Sequence, residues 1–279
     1  MKVNYQLSQN SSYHFEEPVE NLRIECWLTP QSQPFQTIIY HKLYFQPLVK
    51  TQQTWIDSFD NTKQTLLFKR ALQRITVTSL ITVAVSSQMK LRAISAVAAD
   101  APLWGSLFTQ QELADVTPYA VAIGAEVFRD EKLGKKTIYA LANYLFETFI
   151  YDHTATEVDT PLQQLFTQKR GVCQDFARVM IAVLQLNAIQ ARYVSGYLYT
   201  GENTSELIRQ PASHAWVSVF MPGSGWVDVD PTNNKWVDEA YITLAWGRDY
   251  VDVVPVKGML NENRRQRIKV SVTIEKKPD

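Results

Sequence analysis

This chain has no excess charge of either sign: 28 basic residues balance 28 acidic ones in 279. Without a net positive field there is nothing to drive nucleic-acid binding, so no nucleic acid is expected as a partner. Cysteine is scarce as well. Cys26 and Cys173 are the only two, which argues against a disulfide scaffold. The four histidines (His14, His41, His153, His214) are scattered singly, so no zinc-ligand spacing forms either. No nucleotide or flavin motif is present, nor an acidic run of the kind calcium loops use, so neither cofactor nor metal is expected. Long apolar runs are missing too. None approaches the ~20 residues that span a bilayer, and the opening MKVNYQLSQNSSYHF lacks the apolar core of a secretory signal. No membrane partner is expected, and the default placement is cytoplasmic. What remains is ordinary globular composition, 46% hydrophobic and 20% charged. The length fits one large domain or two modest ones at roughly 150 residues each.

The first 95 residues read as strands. Leu22, Ile24, Cys26 and Leu28 alternate with Arg23, Glu25 and Trp27, a period of two that puts Cys26 inward as a small core residue. The runs 38–45, 65–70 and 75–85 are rich in β-branched and aromatic residues. Between them, Asp57-Ser58-Phe59-Asp60-Asn61 suits a turn. From about residue 100 the pattern becomes helical. Thr117-Pro118 offers an N-cap and a first-position proline for a helix to about Glu131. Ile138, Leu141, Leu145 and Phe149 trace one helical face. Thr160 and Gln163 fit a capping box, with Gly171 ending that short helix. The run from Cys173 to Ile189 has an apolar face of Phe176, Val179, Met180, Val183, Leu184 and Ile189, and strands follow at 191–199, 213–220 and 225–230. The division is therefore a β-rich module, 1–95, followed by 96–279, in which helices precede an antiparallel sheet.

Cys173 opens a helix, where partial positive charge favours the thiolate; a neighbouring imidazolium would favour it further. His214 is the best candidate for that neighbour. It shares a hairpin with Asp230. If Phe220 pairs with Trp226, Trp216 faces Asp230, and His214 is its diagonal neighbour at about 7–8 Å between backbones. Asp228 falls opposite Ser218, further from His214. A one-residue slip would send Asp230 to the other face. In this scheme Cys173 attacks an amide carbonyl, His214 moves the proton and Asp230 orients the imidazole. The Cys173 N–H is one oxyanion donor, and Gln168 is a candidate for the second. Asp175, in the first turn, complements the helix dipole with its side chain turned away from the thiol.

These residues carry a resemblance. Gly171-Val172-Cys173-Gln174-Asp175-Phe176-Ala177, Ser213-His214-Ala215-Trp216-Val217, Asp230-Pro231-Thr232-Asn233 and Ala245-Trp246-Gly247-Arg248-Asp249-Tyr250 resemble, in order, the motifs of bacterial transglutaminase-like proteins. The first ~90 residues are similar to the β-rich module that often precedes that core. The resemblance implies an α+β fold with a papain-like cysteine-peptidase/transglutaminase core, its Cys helix packed on a sheet carrying His and Asp. Two departures stand out: Asp60 replaces a family glycine, and residues 261–267 replace a Gly- and His-containing stretch.

The expected function is a thiol enzyme acting on amide bonds of a peptide or protein substrate, foremost a peptidase or amidase. A protein-glutamine transamidase would use the same three residues. A catalytically silent scaffold is the contrasting class. Trp216, Trp226, Trp236 and Trp246, ten residues apart, read as sheet packing. The polar segment 201–211 is the expected loop beside the cleft, and the Arg264–Arg267 cluster a solvated loop.

Overall fold

The computed structural model describes residues 2–49, 51–86, 108–128, 134–201, 213–259 and 265–278. In chain order the elements are β1 (Lys2–Val19), β2 (Leu22–Cys26), β3 (Gln36–Gln46), β4 (Thr51–Ile56), β5 (Thr62–Phe68), β6 (Leu72–Ser86), α1 (Gln110–Val127) and α2 (Lys135–Thr148). There follow β7 (Ile150–Tyr151), α3 (Leu162–Gln168), β8 (Arg170–Gly171), α4 (Cys173–Leu186), β9 (Ala191–Leu198), β10 (Ser213–Met221), β11 (Gly225–Asp230), β12 (Lys235–Trp236) and β13 (Tyr241–Gly247). A 3₁₀ turn (Tyr250–Asp252), β14 (Val256–Met259) and β15 (Gln266–Lys277) close the chain.

The inward half of the period-two reading holds for the first strands. Glu25 and Trp27, expected to face outward, are buried as well, Glu25 between Arg23 and Lys63 and Trp27 through its Nε1 hydrogen bond to Asp57. Leu22, Ile24, Cys26 and Leu28 are all buried, as are Val3, Tyr5, Leu7, Tyr13 and Phe15 along β1. These strands form two antiparallel sheets, β15-β1-β6-β3 and β14-β2-β5-β4. Each takes a strand from the far end of the chain: β15 pairs along β1 from Asn4↔Lys277 to Phe15↔Gln266, and β14 pairs with β2. The 57–61 turn joins β4 to β5, with Asp57 Oδ1 accepting from the N–H groups of Phe59 and Asn61. Asp60 sits there at φ +63°. That left-handed geometry suits the glycine that the family resemblance implies here, and Asp is among the few side chains that tolerate it.

A third antiparallel sheet, β12-β11-β10-β9-β13, carries the later strands. Helix α4 lies against β9 and β10, and α1, α2 and α3 pack on its other sides. Every residue from Asp175 to Leu184 is buried, so α4 is a central helix whose sequence is apolar almost all round. Burying each of its large aliphatic side chains contributes about 1.5–3 kcal/mol.

The edge strand β13 is covered by side-chain amides of the first sheets. Gln36 donates to the Thr243 carbonyl at 2.7 Å and accepts from its N–H at 2.8 Å. Asn61 does the same for Trp246, at 2.7 and 3.0 Å. Two amides thus supply the pairing that a further strand would give, leaving those positions of the edge closed to other chains. The buried Gln9 of β1 accepts from the Tyr197 hydroxyl of β9 in the same interface.

Three helix ends differ from the sequence expectation. α1 starts at Gln110, where Thr109 and Glu112 form a reciprocal capping box, and Pro118 lies inside the helix. The upstream box satisfies the end of the helix better than Thr117-Pro118 does, and Thr117 bonds back to the Leu113 carbonyl instead. Thr160 does not cap α3; its hydroxyl accepts from the Glu157 N–H, and Pro161 holds the cap position. That helix ends at Lys169, which takes the left-handed conformation at φ +51°, and not at Gly171. Gly171 serves another purpose: a Cβ there would fall 2.3 Å from Asp175 Oδ2. Segment 202–211 and residue 264 lie outside the described residues. Of the described helices none is long and apolar enough to cross a membrane.

Candidate functional site

Cys173 is the first residue of α4, with Val172 extended at the cap position. The first intrahelical bonds run from the N–H groups of Asp175 and Phe176 to the Val172 carbonyl. The N–H groups of Cys173 and Gln174 come before that ladder begins, as orphan donors at a positive helix end. Asp175 holds this end together: its Oδ2 accepts from the Val172 N–H at 2.8 Å and from the Thr156 hydroxyl at 2.6 Å. The carboxylate is thereby tied back toward the chain entering the helix.

Across the sheet, β10 pairs with β11 in the expected register: Phe220↔Trp226, Ser218↔Asp228 and Val217↔Val229. His214 Nε2 lies 2.6 Å from Asp230 Oδ2. Asp228 is occupied elsewhere, its Oδ2 accepting from Trp216 Nε1 at 3.3 Å. Opposite His214 on β9 stands Gly196. A Cβ at that position would meet the Trp216 ring at 2.4 Å and the Ile242 carbonyl at 2.2 Å. The glycine therefore lets Trp216 slide beneath the pair, where it packs edge-on against Tyr241 in a small cluster with Val194 and Val237.

Asp230 is fully buried and heavily bonded. Oδ1 accepts from the N–H groups of Thr232 and Asn233. Oδ2 accepts from the Tyr241 hydroxyl at 2.7 Å and from Asn233 Nδ2 at 2.7 Å, besides facing His214. Burial pushes its carboxyl up, but the His214 charge and these hydrogen bonds pull harder and hold it below the usual carboxylate range. His214 is the reciprocal case. Burial lowers its pKa, yet the charge and hydrogen bond of Asp230, together with a hydrogen bond and charge from Cys173, raise it to about 10. With Nε2 committed to Asp230, Nδ1 is the ring nitrogen left for Cys173. The three residues singled out in the sequence thus meet at one place, and Gln168 is exposed at the end of α3.

Several site residues were not singled out in the sequence. Tyr241 and Asn233 fix Asp230; Asn233 lay inside a quoted motif, while Tyr241 reaches the site only because β13 docks beside β9. Burial first, and then the charge of Cys173, raises the pKa of Tyr151, Tyr193 and Tyr250. These three phenols therefore lie around the thiol, Tyr193 wholly buried and Tyr151 exposed. The tryptophans at ten-residue steps do not form a stripe. Trp216 underlies His214, Trp226 and Trp246 stack on either side of the Arg192 guanidinium at 4.3 and 4.0 Å, and Trp236 stacks with Tyr139.

Comparison with known proteins agrees with this architecture. Residues 121–231, which contain Cys173, His214 and Asp230, match the transglutaminase-like superfamily, and residues 5–84 match the bacterial transglutaminase-like N-terminal region. An uncharacterized protein of Mycobacterium tuberculosis is 30% identical over 292 aligned positions, covering 98% of this chain and 92% of that protein. The chain belongs to the transglutaminase-like superfamily and carries that family's bacterial N-terminal region. A candidate cysteine protease from Cytophaga hutchinsonii shares the fold, with a TM-score of 0.78 at 18% identity over all of this chain and 92% of its own. A protein-glutamine gamma-glutamyltransferase of Pseudomonas aeruginosa is 36% identical over 97 residues, 33% of this chain and 14% of that protein.

Proposed function

We propose that this protein hydrolyses amide bonds in a peptide or protein substrate through a covalent thioester on Cys173. The observation that supports this most is the imidazole of His214, held 2.6 Å from Asp230 and beside the Cys173 thiol, where the two partners raise its pKa. A cysteine beside a persistent imidazolium and a helix N-terminus is a nucleophile at neutral pH. The thiolate attacks the carbonyl carbon. The Cys173 and Gln174 N–H groups face the developing oxyanion. His214 then gives its Nδ1 proton to the leaving amine, and the thioester forms as the C–N bond breaks. Neutral His214 next takes a proton from water, which attacks the thioester and releases the acid and the thiolate. Asp230 keeps the ring oriented and its positive form stable throughout.

Transamidation differs only in the acyl acceptor, an amine in place of water. The partial likeness to a gamma-glutamyltransferase keeps that reading in view. The partly exposed thiol and the exposed Tyr151 beside it favour water as the acceptor. The test is to follow a glutaminyl peptide and an ester substrate with and without a primary amine. Acid product in both conditions supports hydrolysis, and product carrying the amine as the main species assigns transamidation. A Cys173→Ala protein that keeps its full biological effect would make the chain a scaffold.

A further inference from the structure

Beside the first turn of α4, lined by the residue that follows Cys173, is a cavity that the reaction above leaves unused. Its volume is about 190 Å³, below the roughly 300–1,000 Å³ of pockets that hold whole small molecules. It has room for one long side chain. Gln174, the residue after Cys173, and Arg178, one helical turn further on, form its α4 wall. Tyr250, which feels the charge of Cys173, lines it from the 3₁₀ turn.

The charges in this cavity do not cancel. Arg178 Nε sits 3.0 Å from Asp249 Oδ2, and its Nη1 donates to the Thr160 carbonyl at 2.8 Å. That pair is internally neutral. Glu112 and Asp159 also line the cavity. Glu112 Oε2 accepts from Thr109, and no ion pair to either carboxylate is present among the described residues. The α1 and α4 N-termini each contribute about half a positive charge, less than the two formal negative charges of Glu112 and Asp159. The lining is therefore negative. Val158 and Val251 supply apolar lining.

We propose that this cavity is a specificity subsite that takes the basic side chain, lysine or arginine, of the peptide whose amide bond reaches Cys173. The alkyl stem packs against Val158, Val251 and Tyr250, and the cationic head lies between Glu112 and Asp159, in the manner of long basic side chains elsewhere. This rests on the hydrolase reading. The cation held here is not an acyl acceptor. An acceptor attacks through a free lone pair, and two carboxylates favour the protonated amine that lacks one.

The test uses the full chain and two readouts. The first is the rate at which Cys173 is modified by aminopentyl methanethiosulfonate against the uncharged pentyl reagent. The second is kcat/KM for fluorogenic peptide amides carrying lysine, arginine, norleucine or glutamate beside the scissile bond. The cationic reagent and substrates are faster by about fivefold, and the preference shrinks as salt is raised. In the Glu112→Gln/Asp159→Asn double variant the preference disappears; both changes keep side-chain shape, and the glutamine carbonyl preserves the acceptor of the helix cap. Equal rates with charged and uncharged probes overturn the subsite, as does a preference that survives the double variant. If Cys173 reacts with neither reagent nor with iodoacetamide, the hydrolase reading falls and the subsite with it. Brisk reaction without charge preference removes the subsite alone.

Discussion

The two cysteines of this chain make opposite use of one side chain. Cys26 sits on β2, between β5 and β14, with no exposed surface. Burial, and then the charge of Glu25, push its thiol pKa well up, which keeps it protonated and inert. Cys173 sits half-buried at the first position of α4, hydrogen-bonded to a charged imidazole. A strand interior offers a cysteine only packing, because its backbone polar groups are already paired with neighbours. A helix start offers unpaired N–H groups, partial positive charge and a direction facing out of the core. The chemistry therefore follows from the position in the secondary structure, and the His214–Asp230 pair completes it.

The largest expected effect breaks the comparison outright. Cys173→Ala reduces turnover by on the order of 10⁴ or more, measured with a peptide amide. Cys26→Ser leaves turnover within about twofold but costs roughly 1–3 kcal/mol of stability in denaturant unfolding, because a hydroxyl is buried without a partner. Asp230→Asn comes next, lowering kcat on the order of 10³, since an amide holds the imidazole without stabilising its charge. Tyr241→Phe is smaller. It removes one of the hydrogen bonds on the buried Asp230 carboxylate and costs about 1.5–3 kcal/mol in the same unfolding assay.

The pH dependence of stability sharpens the picture further. His214 has a folded pKa raised to about 10, so its contribution is complete below the unfolded value of about 6.5 and fades as pH rises between the two. Asp230 has a lowered folded pKa, so its contribution is present above about pH 4 and is lost on acidification. The melting-temperature gap between wild type and His214→Ala is therefore widest between about pH 4 and 6.5 and narrows toward pH 10. A gap that widens with rising pH would contradict the assignment of a charged His214. The smallest effect lies in the N-terminal sheets. Asp60→Gly relieves a left-handed residue at φ +63° and stabilises by about 1 kcal/mol, with turnover unchanged.

The site was legible in the sequence where pattern and function coincide. His214, Trp216, Asp228 and Asp230 lie on one hairpin with a short connection, so alternation and register could be worked out from spacing alone. Cys173 announced itself because an apolar helical run began there. What escaped notice depends on pairing over long sequence distance. β15 is exposed along most of its length, so it shows no alternation, and its partner β1 lies at the other end of the chain. The β13 edge is closed by Gln36 and Asn61, polar residues whose local sequence gives no hint of a partner some 185 residues or more away. Tyr241 belongs to the same class, since its contact with Asp230 exists only once β13 has docked. Helix starts failed for a local reason. Two threonine-led cap patterns competed near α1, and the one with the reciprocal glutamate prevailed.

The measurement that reaches the central claim most directly is the pH dependence of Cys173 alkylation by iodoacetamide, in wild type and in His214→Ala, with Cys26 read in the same peptide map as the internal control. The account predicts a Cys173 that reacts readily at pH 7 in the wild type and a loss of roughly tenfold or more in the variant. Cys26 stays unlabelled in both. Equal Cys173 rates in the two proteins at that pH would show that the imidazole does not activate the thiol, and the proposed mechanism would be wrong.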